Sequence, residues 1–197
     1  EARVRDARTR AIFARRGLYL PLAPDPAEGL AASNLSIAFE AHAAGWRERL
    51  GAYRLVQFAA ECATDPGLAA LAAWLESRWE SGGRLVLVRA GAAPWHDTLE
   101  SLERLSCFLS PSARAATCLI TERGLEAIGG LAAGAVEVCA TSLHLLLTAR
   151  AFGVPTVALE REAGVARKLR AYFGTWHPEQ TFWAPGSCRP VGRLPLE

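Results

Sequence analysis

His144 stands two residues after Ser142 and three after Thr141, inside the run AVEVCATSLHLLLTARAFGVPTVAL that spans Ala135 to Leu159. Two hydroxyls and an imidazole at this spacing open what reads as a helix, with Thr141 as its N-cap and His144 at the third helical position. Free backbone N–H groups and the positive end of the helix dipole favour an anion there, phosphate above all. An imidazole at that lip can exchange a proton with whatever binds beside it. The plainer reading is that His144 packs against the turn and hydrogen-bonds a carbonyl, and spacing alone leaves both open. A second polar cluster is Gly91 to Asp97, GAAPWHD, in which His96 and Asp97 form a candidate acid/base pair. Asp97 equally suits a plain N-cap. Trp95, beside His96, offers a flat face for a sugar.

These residues meet only if the chain forms alternating strands and helices. Ala135–Ala140 and Val154–Leu159 are short apolar runs of strand type, whereas Ser142–Phe152 is too long and too rich in Leu and Ala for a strand. Leu143, Leu145, Leu146, Leu147, Ala149 and Phe152 leave that helix no wide polar face, which predicts burial, and Gly153 stands just past its end. Strand, helix and strand with such short loops make a right-handed βαβ unit. Upstream, Tyr53–Ala60, Arg84–Arg89 and Thr117–Thr121 read as further strands. Between them lie helices after Asp65-Pro66, from Asp97 to about Leu109, and over Leu125–Leu131, the last weakened by Gly129 and Gly130. An amphipathic helix over Glu162–Phe173 and an aromatic, Pro-rich tail follow. Before Tyr53 the pattern gives a helix over Val4–Arg16, a strand candidate Leu18–Leu22, and a connector that is partly helical over Ile37–Arg49, placing His42 on the surface.

The fold class this implies is α/β, a doubly wound parallel sheet of Rossmann type. Ligands of such sheets sit beyond the carboxyl ends of the strands. Here those ends are the loops Glu61–Thr64, Ala90–Asp97, Thr121–Gly124, Thr141–His144 and Glu160–Arg161, which carry polar or ionisable groups. Glu61 and Arg161 enter the candidate site on this ground.

Composition narrows the class further. The chain has 197 residues, 51% hydrophobic and 21% charged, with a formal net charge of +2 and its arginines scattered, which argues against a nucleic-acid surface. No apolar run approaches the roughly 20 residues of a membrane span, and the charged opening stretch EARVRDARTRAIFARRG is not expected to act as a signal peptide. Five cysteines without CxxC spacing read as reduced thiols of a cytoplasmic protein, with no zinc site and no cofactor. There is no Met, and a chain opening on Glu within a helical pattern is expected to be a piece of a longer protein. GxGxxG, Walker A, GxSxG and HExxH motifs are all missing.

Three stretches carry a resemblance: Arg5-Asp6 with Gly17 and Asp25-Pro26-Ala27; Gly91 to Asp97; and Ser142-Leu143-His144 with Gly153-Val154-Pro155 and Lys168. Together they resemble the polysaccharide pyruvyl transferase family, whose members look like two-domain GT-B glycosyltransferases. The resemblance covers most of residues 1 to 175 and is most specific in the third stretch. It implies transfer of a pyruvyl group from phosphoenolpyruvate to a sugar of a surface glycan as a ketal. It also implies His144 as general acid or phosphate clamp and Lys168 as holder of the donor's anionic end. Without the family, Lys168 reads as a solvated helix residue. Many relatives carry Arg where this chain has Ser142, so either Arg161 or Lys168 supplies the missing charge from a neighbouring loop, or the donor differs, or the chain is a non-catalytic relative.

The domain layout expected on this basis is 1–30 as the end of an N-terminal domain, 31–52 as a connector, 53–175 as a Rossmann-like donor-binding domain and 176–197 as a tail. His177, in that tail, belongs to packing or to a segment crossing back to the first domain. Thr141, Ser142, Lys168 and Arg161 are the expected donor contacts, and Trp95, His96, Asp97 and Glu61 the expected acceptor or loop contacts. The partners would be phosphoenolpyruvate or another anionic donor and a sugar or lipid-linked glycan. The rival readings are a GT-B glycosyltransferase using a nucleotide-sugar and a non-catalytic GT-B-like domain of a larger protein.

Overall fold

A computed structural model describes residues 2–78, 83–91 and 96–186. Among them six strands form one all-parallel sheet in the order β3-β2-β1-β4-β5-β6. The strands are β1 Tyr53–Gln57, β2 Arg84–Val88, β3 Thr117–Ile120, β4 Glu137–Ala140, β5 Thr156–Leu159 and β6 Thr181–Trp183. The helices are α1 Ala7–Ala14, α2 Leu35–Leu50, α3 Asp65–Ser77, α4 Leu99–Phe108, α5 Pro111–Ala115, α6 Leu125–Gly134, α7 Leu143–Ala151 and α8 Arg167–Trp176.

Side chains alternate across the sheet and build a core on each face. Tyr53 and Leu55 of β1, Val86 and Val88 of β2 and Val138 of β4 pack with α6, α7 and α8 through Leu131, Leu146, Leu147, Tyr172 and Phe173. Val56, Leu85, Leu87 and Val157 face the other way, against Leu68, Leu71 and Leu75 of α3 and Leu102 and Leu105 of α4. Helices on both faces of a parallel sheet are the doubly wound arrangement the sequence predicts, and α7 is buried as its all-round apolar surface requires. Among the described residues no helix is long and apolar enough to cross a membrane.

Some boundaries differ from the sequence reading, each for a local reason. Ser142 caps α7, its Oγ accepting from Leu145 N at 3.4 Å, so Thr141 is not the N-cap and His144 is the second helical residue. Thr64 caps α3 ahead of Asp65, and Thr98 caps α4, leaving Asp97 free for another task. α8 begins at Arg167, because Glu160 holds residues Gly164 and Ala166 in turns by accepting from their N–H groups at 3.1 and 3.2 Å. α6 runs on to Gly134, and its glycines are what lets α2 approach: a Cβ on Gly130 would lie 2.3 Å from His42 Cβ, and one on Gly134 would lie 2.6 Å from the Tyr53 hydroxyl. Leu18–Leu22 makes one parallel bridge, Leu22 with Val4, and its Tyr19 is 85% exposed, so the strand candidate has no sheet to join. β6, read as tail, pairs with β5 and buries Trp183 against Trp74 at 5.1 Å between ring centroids.

Candidate active site

In the order β3-β2-β1-β4-β5-β6 the chain runs outward in both directions from the β1/β4 pair, and the crevice at such a reversal is where open α/β sheets bind ligands. A cleft of about 650 Å³ opens at this point. It is lined from the loops after β1, β2, β4 and β5 and from the start of α8. Thr121–Gly124, the fifth loop that the sequence placed at the ligand side, is not in the lining, because β3 is the far edge strand of the sheet.

His144 lines the cleft with its side chain 62% exposed. Its Nε2 lies 3.4 Å from Oδ2 of Asp25, a carboxylate only 9% exposed. Asp25 was legible in the sequence as part of Asp25-Pro26-Ala27 but carried no assigned role. Its Oδ2 also accepts from Arg5 Nη1 at 3.0 Å, its Oδ1 accepts from Ala27 N at 3.1 Å, and its own N–H donates to the Tyr172 hydroxyl at 3.0 Å. Burial works to raise the Asp25 carboxyl. The Ala27 hydrogen bond, the Arg5 hydrogen bond and the charges of His144 and Arg5 outweigh it and hold the group below its ordinary range.

A carboxylate held down in the folded state adds stability above its unfolded value of about 3.9, and that increment is lost as pH falls through the lower folded value. Asp25→Asn is therefore expected to melt below the parent at pH 7, with the gap closing as pH is taken below 3.9. Thermal melts of both proteins across that range check it, and a gap that stays constant with pH would remove Asp25 from the ion-pair account.

Lys168, Arg161 and Arg167 line the same cleft. Burial, then the Arg5 charge, push the Lys168 ammonium below the usual lysine range, with Asp25 opposing. Thr141, not a cap, joins two loops instead: its Oγ1 accepts from Ala59 N at 3.0 Å. Ser142 N donates to Oε1 of the buried Gln57 at 2.9 Å, which fixes the turn at the mouth of α7 to the end of β1.

Asp97 is buried, and its Oδ2 accepts from Ala90 N at 3.0 Å and Gly91 N at 3.1 Å, so it fixes the loop after β2. Its Oδ1 lies 3.1 Å from Nδ1 of the exposed His96, and Ala60 N donates to the His96 carbonyl at 2.7 Å. The pair read from the sequence is thus brought together at the cleft. Trp95 lies outside the described residues. Glu61 lines the cleft beside Cys62, whose thiol burial and the Glu61 charge push up to about 11 against the opposing Arg161, leaving it no thiolate nucleophile at neutral pH. Among the described residues no group of three or more His, Cys, Asp or Glu side chains is placed to hold a metal ion.

Glu160 is the second residue that sequence reasoning left without a role. Its side chain, 1% exposed, pairs with Arg170, itself 12% exposed, and organises the loop that carries Arg161. The available signal was a lone acid at the end of an apolar strand.

No protein-family model matches the chain, and no curated protein matches it in sequence. Among solved structures, the UDP-GlcNAc 2-epimerase from Methanocaldococcus jannaschii aligns over 93% of this chain and 51% of its own, with a TM-score of 0.60 at 12% identity. The E. coli ADP-heptose lps heptosyltransferase II aligns over 61% of this chain and 37% of its own, with a TM-score of 0.45 at 20% identity. The E. coli heptosyltransferase WaaC, solved with ADP, aligns over 72% and 40%, with a TM-score of 0.43 at 15% identity. The chain therefore spans about half the length of the epimerase and less of the heptosyltransferases. The likeness is one of fold: a Rossmann-like parallel sheet of the kind found in GT-B proteins.

Proposed function

We propose that the chain is the donor-binding half of a GT-B transferase that moves a pyruvyl group from phosphoenolpyruvate to a sugar of a surface glycan, in the cytoplasm, closing a ketal across two hydroxyls. The domain layout of 1–30, 31–52, 53–175 and 176–197 belongs to this reading. The observation that carries it is the exposed His144 imidazole at the mouth of α7, backed by the Asp25 carboxylate and sharing its cleft with Lys168 and Arg161. Phosphoenolpyruvate carries a phosphate and a carboxylate, and the cationic lining and the start of α7 are suited to both. His144 gives a proton to the methylene carbon as an acceptor hydroxyl oxygen bonds to the central carbon, and the hydroxyl proton returns to the imidazole. The second hydroxyl then displaces phosphate at that carbon, its proton leaving with the phosphate. Lys168 and Arg161 neutralise the departing charge, which supplies the cation that Ser142 lacks. Glu61, His96, Asp97 and Trp95 belong to the loops that would meet the acceptor.

A nucleotide-sugar donor is the second reading. The cleft volume of about 650 Å³ lies within the range of drug-sized ligand sites and exceeds what a donor as small as phosphoenolpyruvate needs. The UDP-GlcNAc of the epimerase's own name is a nucleotide-sugar. Calorimetric titration with phosphoenolpyruvate and then with UDP- and CDP-sugars tests both. Saturable binding of phosphoenolpyruvate alone is the expected result. Binding of a nucleotide-sugar alone establishes the second reading, and binding of neither makes this a non-catalytic domain.

A further inference from the structure

The donor cleft holds a second carboxylate–imidazole couple. The loop after β2 carries His96, the turn after β4 carries His144, and β1 lies between those two strands. Both imidazoles line the cleft, with side chains 60% and 62% exposed. One hydrogen-bonded frame sets them both: Ala60 N donates to the His96 carbonyl at 2.7 Å, and the neighbouring Ala59 N donates to Thr141 Oγ1 at 3.0 Å.

The His96 ring is not needed for that frame, since its own carbonyl makes the tie to Ala60. What the ring has instead is a fixed orientation. Asp97 is buried, and its Oδ2 is taken by the N–H groups of Ala90 at 3.0 Å and Gly91 at 3.1 Å. Its Oδ1 is left to His96 Nδ1 at 3.1 Å. A carboxylate only accepts, so Nδ1 carries the proton and Nε2 carries the lone pair on an exposed ring. His144 is held the other way round, with Nε2 as the nitrogen near Asp25. The other acids and the thiol in the lining suit base chemistry less: Glu160 is closed off by Arg170, and Cys62 keeps its proton to about pH 11, which leaves Glu61 as the rival.

We infer that His96 is a second catalytic residue, a general base for a sugar hydroxyl, and that Asp97 is the positioning residue that fixes its tautomer. The base role rests on the proposed pyruvyl transfer; the contact with a sugar hydroxyl does not. As the oxygen of the second hydroxyl bonds to the central carbon, His96 Nε2 takes its proton, and the bond from that carbon to the phosphate oxygen breaks with its electron pair leaving on phosphate. The imidazolium then gives the proton to the departing phosphate, which restores His96. The two couples thus divide the work, with His144 serving the methylene carbon and the first hydroxyl and His96 serving the second.

The test is long-range proton–nitrogen NMR of the histidine rings in the intact chain at about pH 8, above the ordinary imidazole range. With four histidines, single substitutions assign every signal. His96 is expected to show a protonated Nδ1 and a bare Nε2. Titration with methyl glucoside, whose ring offers several hydroxyl pairs, is expected to shift the His96 Nε2 signal and leave His42 and His177 in place. In Asp97→Asn the amide oxygen keeps the Ala90 and Gly91 N–H groups and the amide NH2 meets His96, so the tautomer is expected to invert and the shift with glucoside to be lost. Should the loop not survive Asp97→Asn, the parent spectra decide alone. A bare Nδ1 in the parent, or a His96 signal indifferent to glucoside, overturns the proposal. Phosphoenolpyruvate is read in the same spectra at His144: if it moves nothing while glucoside still moves His96, the donor reading fails and the sugar contact stands. If phosphoenolpyruvate moves His144 and glucoside leaves His96 unmoved, the donor reading stands and this proposal falls.

Discussion

Replacing His144 with alanine is expected to lower kcat by about 10²–10⁴-fold in the full enzyme while donor affinity changes by less than about tenfold. The size follows from the role: protonating a methylene carbon as a hydroxyl attacks is a step that water performs poorly and a placed imidazole performs well. The small change in affinity follows because Lys168, Arg161 and the backbone at the mouth of α7 remain in the cleft. Calorimetry with phosphoenolpyruvate and turnover with an acceptor glycan, on the same preparations, separate the two quantities. If affinity falls while kcat at saturating donor is unchanged, His144 clamps the donor and the proton comes from elsewhere, with His96 beside Asp97 the next group to examine.

Glu160→Ala is expected to lower stability by about 3–5 kcal/mol, the usual cost of removing one partner from a buried ion pair. Arg170 would keep its charge in a nearly closed site without the carboxylate that now receives two of its nitrogens. The N–H groups of Gly164 and Ala166 would lose their acceptor as well, so the loop before α8 would loosen. For a chain of this size the loss corresponds to a fall in Tm of roughly 6–20 °C. The double variant Glu160→Gln with Arg170→Met is expected to recover a large part of it, because no unpaired charge is left inside. A single variant that melts within about 2 °C of the parent would show that solvent reaches the pair and that its burial stabilises nothing.

The five strands from Tyr53 to Leu159 were readable because each is a short apolar run bounded by turn residues, and α7 because its leucines occupy every side. β6 was not readable: Thr181-Phe182-Trp183 is three residues long and gains its place only by pairing with β5. Helix starts moved by one or two residues where two capping residues compete, as with Thr141 and Ser142 or Asp97 and Thr98, since only the tertiary position of each side chain decides which oxygen faces the helix. Of the candidate site, the residues at strand ends could be named because topology sends them to one crevice. Asp25 could not, because it reaches His144 from a segment 119 residues earlier, and no periodic pattern encodes that approach. Glu160 looked like one more loop acid, and its partner Arg170 lies on the far side of a turn whose shape the carboxylate itself sets.

The register of the sheet has a consequence for how the molecule is made. β1 pairs with β4, and Arg54 meets Glu137 at a sequence separation of 83, so the central ladder closes a very long loop. Contacts of such high order slow the search for the native state, and the apolar α7 has no sheet to cover until β1 and β4 have found each other. A nascent chain ending before Ala140 would therefore leave β1 with one flank open and Leu55 without its cover from α7. Ribosome-bound chains of stepwise increasing length should gain protease resistance in one late jump, after α7 and β5 have emerged, rather than by gradual increments.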